Sequence, residues 1–209
     1  MLSLVSYFNG GFMGSRLVKT AWMMGLSAGL IVGCAQTDEA EDAAVQDTAA
    51  LTPPPASGPG DAEVAHIVVT ANTIDINAGN LAKEKAQNRE VRSFADKMVA
   101  DHTGSNQQAS ELAQRLNVTP ADNATSQSLT SGATATLDTL RTRSGAEFDR
   151  AYIDNEVAFH QLVLDAIDQT LIPSAQNAEL KTLLQQTRPV IAGHLDMAKR
   201  IQASLAAQR

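Results

Sequence analysis

Downstream of residue 60, apolar residues recur in alternating steps of four and three, and this pattern constrains the fold more than any other feature. It is clearest at Val91, Ala95, Met98, His102, Ser105, Ala109, Leu112 and Leu116, and then at Leu180, Leu184, Thr187, Ile191, His194, Ala198, Ile201 and Leu205. Such steps place one stripe along each helix, as in helices packed in a bundle. No stretch alternates with a period of two for long enough to predict a strand.

The sequence therefore predicts an all-α fold, an antiparallel four-helix bundle with a helical crossover between helices 2 and 3. Helices 1 to 4 are expected at about residues 61–86, 89–117, 144–171 and 180–205, and the crossover at residues 123–141. Pro173 is expected to break the chain between helices 3 and 4. Pro189 is expected to kink helix 4 or divide it in two.

Residues 13–36, MGSRLVKTAWMMGLSAGLIVGCAQ, have the layout of a bacterial lipoprotein signal. Two basic residues precede an apolar run that is shorter than the roughly 20 residues needed to span a bilayer. The run ends in a lipobox, Ile31-Val32-Gly33-Cys34, whose cysteine becomes the lipidated N-terminus. We predict a signal peptide at residues 1–33 and a lipid anchor on Cys34. The alternative is an ordinary signal peptide that is cut slightly later.

Residues 34–60 are acidic, rich in alanine, and end in a Pro/Gly cluster. This composition predicts a flexible tether between the lipid and a helical domain at residues 61–209. Ala35 follows the cysteine in place of the aspartate that retains lipoproteins at the inner membrane of enteric bacteria. The expected location is therefore the outer membrane, facing the periplasm, with other envelope proteins as candidate partners.

The charge of the chain argues against a nucleic-acid partner. Residues 1–33 hold two of the 16 basic residues and none of the 23 acidic ones, so the remainder carries 14 basic against 23 acidic residues, a formal charge of −9. A surface of that sign does not attract nucleic acid or anionic lipid.

Three histidines and two carboxylates are the candidate metal ligands: His102, His160, His194, Asp75 and Glu156. Two of the histidines fall on the apolar stripes of helices 2 and 4. The third lies at the edge of the helix 3 stripe, one turn after the glutamate, and the aspartate borders the stripe of helix 1. One imidazole or carboxylate from each of four helices could hold zinc, iron or copper. Buried histidines held neutral by a backbone or carboxylate partner fit the sequence as well.

The expected depths of the histidines argue against a shared site. His160 precedes the break at Pro173 by about a dozen residues and His194 follows it by about twenty, a mismatch of about 12 Å along the helix axis. A kink at Pro189 or a longer loop would have to restore the level. Packed core histidines are therefore the expected arrangement, with no effect of metal on stability.

Other chemistries lack their residues. A di-iron carboxylate site needs two Glu-x-x-His pairs, and the chain has one such spacing, from Glu63 to His66. The predicted helical domain has no Gly-x-Ser-x-Gly elbow, no His-Glu-x-x-His and no phosphate-binding glycine loop. Lys97, Asp101 and Asp149 are among the charged residues interpreted as a solvated face with surface ion pairs, which contribute little to stability.

Three motifs carry a family resemblance: VRSFADKMVADH at residues 91–102, FDRAY at residues 148–152 followed by His160, and Pro189 followed by His194-Leu195. Together they resemble the bacterial domain of unknown function 4142 family over roughly residues 62–205. The resemblance implies a ferritin-like helical bundle in the cell envelope with no established activity.

The same resemblance places the family's three histidines on His102, His160 and His194. The sequence departs from the pattern at Asp75, where glutamate is expected, and at Gly104, where a helix former is usual. The first change shortens a candidate ligand by one methylene, and the second loosens helix 2. Both make a tight metal site less expected.

Two hypotheses of different classes follow. The leading one is an envelope lipoprotein whose helical domain is a non-enzymatic binding or interaction module. Its rival is a metal-binding or redox bundle that uses the interior histidines with Asp75 or Glu156. Stress-protective binding of other envelope proteins is a third hypothesis, which the sequence does not separate from the first.

Overall fold

The computed structural model describes residues 58–208, which are helical apart from short turns. The helices are α1 (Asp61–Lys85), α2 (Arg89–Arg115), α3 (Ala124–Arg141), α4 (Gly145–Ala166), α5 (Ile172–Ser174) and α6 (Ala178–Ala207), with a π-helical turn, Ile167–Leu171, between α4 and α5. Residues 58–208 contain no strand. None of their helices is both long enough and apolar enough to cross a membrane. The predicted signal peptide, Cys34 and residues 34–57 of the predicted tether lie outside the described residues.

The four long helices form two antiparallel hairpins that pack together. Helix α1 packs mainly against α2, and α4 mainly against α6, while contacts of α1 with α4 and of α2 with α6 join the two hairpins. Helix α3 connects the hairpins and lies against α1 and, to a lesser extent, α4. The predicted fold class, an antiparallel four-helix bundle with a helical crossover, is confirmed.

The two hairpin turns have the same sequence and the same hydrogen bonds. Each reads Ala-Gln-Asn, at residues 86–88 and 175–177, and each asparagine side chain accepts from two backbone N–H groups of the helix that it starts. An aspartate from the opposite hairpin accepts from the Gln and Asn backbone N–H groups of each turn, Asp149 at the first and Asp61 at the second. Asp149 is 3% exposed. The prediction that Asp149 belongs to a solvated face is wrong, because its buried carboxylate accepts hydrogen bonds from the turn between α1 and α2.

Pro173 does not break the chain where the sequence predicted. The backbone N–H of Ile172 bonds to the carbonyl of Ile167, five residues earlier, at the end of the π-helical turn. Pro173 lies directly after this shift in hydrogen-bond register, so its missing N–H falls where the regular i→i−4 pattern is already interrupted. The helical path therefore continues to Ser174, and the turn to α6 comes later than expected.

Pro189 does not divide the last helix either. Helix α6 runs without interruption from Ala178 to Ala207 with Pro189 inside it. Pro189 and Gln185, whose carbonyl would otherwise bond to residue 189, both lie on the exposed side of the helix. The carbonyl that the proline leaves free can therefore bond to water.

The interior of the bundle consists of two apolar clusters. One contains Ala78, Ala82, Val91, Phe94, Ala95, Met98, Phe148, Tyr152, Ile153, Ala198 and Ile201. The other contains Val64, Ile67, Leu112, Leu164, Ile167, Leu171, Leu180, Leu184, Ile191 and Leu195. On α1, α2 and α4 the sequence between these two sets holds buried polar residues, and on α6 the buried His194 lies next to Leu195, close to where the two sets meet. A polar layer therefore separates the two halves of the core.

Candidate metal centre

Five buried side chains make up the polar layer, and every long helix contributes at least one. They are Asp75 from α1, His102 from α2, Glu156 and His160 from α4, and His194 from α6, each at most 2% exposed. The ring centres of the three histidines lie 5.3, 5.4 and 5.7 Å apart. These are the five candidate ligands of the sequence analysis, and the structure brings all of them together.

The expected 12 Å mismatch in depth between the histidines is absent. It was expected because the turn between the last two long helices was predicted at Pro173, too early in the sequence. The turn lies at residues 175–177, so His160 precedes it by 15 residues and His194 follows it by 17. A difference of two residues corresponds to about 3 Å along a helix axis. The expected difference in depth was therefore wrong, and the three histidines lie at a similar level.

His102 and His160 each have one ring nitrogen held by a hydrogen bond. The Nδ1 atom of His102 lies 2.8 Å from Oδ1 of Asn72, one turn before Asp75 on α1. The Nδ1 atom of His160 lies 3.0 Å from the backbone carbonyl oxygen of Glu156. Since both partners are acceptors, each Nδ1 carries the proton. These bonds fix the orientation of both rings and leave Nε2 with a lone pair.

His194 is held in the opposite tautomer by an aspartate. Its Nε2 atom donates to Oδ2 of Asp101 at 2.8 Å, and Lys97 donates to the same oxygen at 2.7 Å. Burial acts to raise the pKa of the Asp101 carboxyl, but the hydrogen bonds from Lys97 and His194 lower it overall. Asp101, 32% exposed, therefore orients a buried imidazole as well as forming the surface ion pair that the sequence predicted.

The remaining nitrogen of each ring is buried and has no hydrogen-bond partner among residues 58–208. These atoms are Nε2 of His102, Nε2 of His160 and Nδ1 of His194. Each histidine offers a ligand atom within 4.8 Å of one on each of the others. The other nitrogen of each ring carries the proton and donates it to Asn72, the Glu156 carbonyl or Asp101. Three lone pairs therefore remain without a partner among the described residues.

The interior keeps these imidazoles neutral. Burial, with a smaller contribution from the neighbouring histidines, lowers the pKa of His102 to about 3 and that of His160 to about 4. Burial also lowers the pKa of His194, although Asp101 opposes this shift. Neutral imidazole is the form that binds a metal.

The two carboxyl groups of the layer are also in a strongly apolar setting. Burial raises the pKa of Asp75 and of Glu156 well above the usual range, and the charge of Asp75 raises that of Glu156 further. Glu156 faces the Asp75 carboxyl, and no donor among residues 58–208 bonds to either of its oxygens. The two carboxyl groups are therefore stable in this setting when they bind a proton or when a cation lies beside them.

Close packing of α1 on α2 brings the short Asp75 side chain to the histidines. The Nε2 atom of His102 lies 3.5 Å from Oδ2 of Asp75. One turn further along α1, a Cβ atom built on Gly79 would lie 2.8 Å from Cγ2 of Val99 and 3.2 Å from the Ala95 carbonyl oxygen. Glycine permits this close approach, so Asp75 reaches the layer although it has one methylene fewer than glutamate.

Three polar residues near the layer were not expected from the sequence. Asn72 and Asp101, which orient His102 and His194, and Tyr152, whose buried hydroxyl has no hydrogen-bond partner, were not predicted as site residues. Helical spacing offers a signal for two of them. Asn72 lies three residues before Asp75, and Tyr152 four residues before Glu156, so each shares a helix face with a candidate ligand.

The fourth histidine lies outside the layer. His66 is 31% exposed at its side chain and lies 3.8 Å from an Asp122 oxygen. Glu63 accepts a hydrogen bond from the backbone N–H of Gly60 at the start of α1. The single Glu-x-x-His spacing of the chain thus caps a helix and does not contribute to the interior cluster.

The sequence matches the family described as domain of unknown function DUF4142 over residues 40–201. The chain belongs to this family. The resemblance seen in the motifs is thereby confirmed for this DUF4142 protein. A DUF305 protein from Streptomyces coelicolor, described as secreted, has a similar structure, with a TM-score of 0.58 at 9% identity over 69% of this chain and 92% of that one. At this identity the likeness shows the helical fold alone. No curated protein matches the sequence.

Proposed function

We propose that this DUF4142 domain binds a transition-metal ion in the interior of its bundle through His102, His160, His194 and Asp75. One observation carries the proposal. Each imidazole donates its outer N–H to an oxygen acceptor and directs a free, buried nitrogen into the same layer. Metal-bound histidines in proteins show this arrangement, because the outer hydrogen bond fixes the tautomer and the ring orientation.

The spacing of the rings supports a single ion between them. Three imidazoles on one tetrahedral zinc, with nitrogens at about 2.0–2.1 Å, would have ring centres about 5 Å apart. The observed separations are 5.3–5.7 Å. Two ligand atoms on such an ion lie about 3.3 Å apart, and His102 Nε2 lies 3.5 Å from Oδ2 of Asp75. The three imidazoles can therefore hold one ion with small adjustments, and Asp75 lies beside His102 as the candidate fourth ligand.

Packed core histidines, the arrangement expected from the sequence, account for less of what is seen. Buried polar atoms in proteins usually have hydrogen-bond partners, and a buried donor or acceptor without one costs about 1–3 kcal/mol. Here three imidazole nitrogens and both Glu156 oxygens lack one in a single layer. A bound cation satisfies the imidazole lone pairs together, which supports the rival hypothesis over the leading one.

The ligand set favours the metals expected from the sequence. Neutral imidazole suits zinc, copper and iron, and three imidazoles with one carboxylate form a closed four-coordinate shell for zinc. The layer lies in the interior of the bundle, between two apolar clusters. We therefore take zinc as the first probe and expect copper and iron to compete for the same ligands.

We further propose that the protein is anchored by lipid on Cys34 and faces the periplasm from the outer membrane. The lipobox at residues 31–34 and the acidic Pro/Gly-containing segment at residues 34–60 support this location. The related fold of a DUF305 protein described as secreted is compatible with it. The envelope would then supply the metal that the domain binds.

The experiment that tests metal binding is thermal unfolding of the purified protein with zinc and with a chelator. Zinc at 100 times its dissociation constant should add about 2.7 kcal/mol to the free energy of unfolding. At the same zinc concentration the gain should be largely lost in His102→Gln, His160→Gln and His194→Gln, each of which keeps two of the three imidazoles and binds zinc more weakly. It should persist in His66→Gln, the matched control outside the layer. No shift in the wild type, or an equal shift in all four variants, would contradict the proposal.

A further inference from the structure

A second group of ligand atoms overlaps the first and uses different side chains. Asp75, Glu156 and His160 each offer an atom within 4.8 Å of one on each of the others. Glu156 is fully buried, and a four-coordinate ion held by three histidines and one oxygen of Asp75 does not use it. The other Asp75 oxygen is also left over. The layer therefore holds more ligand oxygens than one tetrahedral ion requires.

In the part of the chain that the structure describes, no lysine or arginine lies within 4.0 Å of the Asp75 and Glu156 oxygens. Among residues 58–208, the charge partners within 4.0 Å of the two carboxylates are His102 for Asp75 and His160 for Glu156, each at 3.5 Å. Both imidazoles direct their N–H to other acceptors, Asn72 and the Glu156 carbonyl. Two buried carboxylates without lysine or arginine bind a cation when they are ionised.

Tyr152 brings a third buried oxygen to the face of α4 that carries Glu156. It lies one helical turn before Glu156 on α4, and its fully buried hydroxyl has no hydrogen-bond partner. The unpartnered hydroxyl is a second, independent sign of a polar ligand at this place.

We propose that the layer has a second cation position, held by Glu156 and Asp75 beside Tyr152, so that Asp75 bridges two ions. This inference rests on the proposed function, because the first ion occupies the three histidines. Carboxylate-bridged ions in two-metal sites lie about 3.5–4 Å apart. Oxygen ligands favour harder ions than imidazole does, so we assign manganese(II) or iron(II) to the second position.

To test this, the full protein is loaded with one equivalent of zinc and titrated with manganese(II). Loss of the electron paramagnetic resonance signal of free manganese measures binding, and elemental analysis gives the number of ions per chain. We expect one zinc and one manganese per chain. In Glu156→Gln the zinc should remain and the manganese affinity should fall at least tenfold. Glu147→Gln, an exposed glutamate of the same helix, should bind both ions like the wild type.

Asp75→Asn provides a second variant and should lose manganese and weaken zinc together. Manganese binding by Glu156→Gln at wild-type affinity would overturn the second position, as would a wild type that takes up a single ion in total. Either result leaves the first position standing. A wild type that binds no ion at all would overturn the proposed function as well. His102→Gln, which should lose zinc, separates failure of the first position from failure of the second.

Discussion

The Nε2 atom of His102 lies 3.5 Å from Oδ2 of Asp75 inside the bundle, and that nitrogen has no hydrogen-bond partner. Because Nδ1 of the same ring is bonded to Asn72, Nε2 carries a lone pair that faces a carboxyl oxygen. Two such atoms in an apolar interior need a proton or a cation between them. Asp75 and Asn72, one turn apart on α1, thus set both the tautomer of His102 and the demand for a positive charge.

Gly79→Ala should destabilise the protein and weaken zinc binding. The added methyl group gains up to about 1 kcal/mol of helix propensity but meets Val99 and the Ala95 carbonyl, and overpacking typically costs about 1–3 kcal/mol. The strain separates α1 from α2 and moves Asp75 away from His102. Gly104→Ala is the matched control on α2, since its Cβ would meet nothing within 4 Å.

Gly104→Ala should raise the free energy of unfolding by up to about 1 kcal/mol and leave zinc affinity unchanged. Denaturant titration of both variants, with and without zinc, checks the pair. Equal effects of the two alanines would show that the close approach of α1 and α2 at Gly79 is not what positions Asp75.

Asp101→Ala should lower zinc affinity by about 10–100-fold, because loss of an outer hydrogen-bond partner has that effect on metal-bound histidines. The metal-free protein should lose less than about 1 kcal/mol, since Asp101 is partly exposed. Competition with a chromophoric chelator measures the affinity. The control is Asp96→Ala, which removes an exposed aspartate of the same helix, α2, that pairs with Lys83 of α1. This variant should bind zinc normally. An unchanged affinity in Asp101→Ala would remove Asp101 from the site.

Metal-free protein should lose stability in acid partly through His102. Its pKa is about 3 in the folded state and about 6.5 in the unfolded state, so its contribution is complete above pH 6.5 and is lost as the pH falls towards 3. In between, the unfolded chain binds one more proton, and stability falls by up to about 1.4 kcal/mol per pH unit.

The carboxyl groups of Asp75 and Glu156 act in the opposite direction. Their pKa values are raised by burial, so their contribution is lost as the pH rises. Their effect is common to wild type and His102→Gln and largely cancels in the difference. Denaturant titrations of both proteins with chelator, between pH 4 and 7, should give a difference in unfolding free energy that shrinks as the pH falls. Parallel curves would show that His102 is not held neutral.

Cys34→Ser should release the protein from the membrane fraction. Each buried methylene of a lipid chain adds about 0.8 kcal/mol of membrane affinity, and the substitution removes the attachment point of the lipid. Fractionation of cells with a salt wash, followed by immunoblotting, checks this. A substituted protein that stays with the membranes after the wash would contradict the lipoprotein interpretation.

Helical periodicity was sufficient to predict the bundle, because four long apolar stripes leave few other ways to bury them. The same periodicity identified the five residues of the polar layer. It did not predict that they meet, because their relative depth depends on where a turn falls. The π-helical turn before Pro173 lets the helix continue to Ser174, so the connection to α6 falls a few residues later than predicted. A change of hydrogen-bond register of this kind is not visible in the spacing of apolar residues.

The orienting residues were harder to predict for a different reason. Asp101 pairs with Lys97 one turn earlier on α2, which is the pattern of an ordinary surface ion pair. Its second bond, to His194 on α6, depends on how two helices that are distant in sequence are rotated against each other. Equally, the repeated Ala-Gln-Asn turns were visible in the sequence, but their aspartate partners come from the opposite hairpin.

X-ray absorption at the zinc edge, on protein loaded with one equivalent of zinc, tests the central claim most directly. The proposed site predicts a first shell of about four nitrogen and oxygen ligands at about 2.0–2.1 Å. It also predicts the outer-shell scattering of three imidazole rings, reduced to two in His194→Gln and unchanged in His66→Gln. A first shell without imidazole scattering, or one that His194→Gln leaves unaltered, would show that zinc binds elsewhere and would contradict a metal centre in the polar layer.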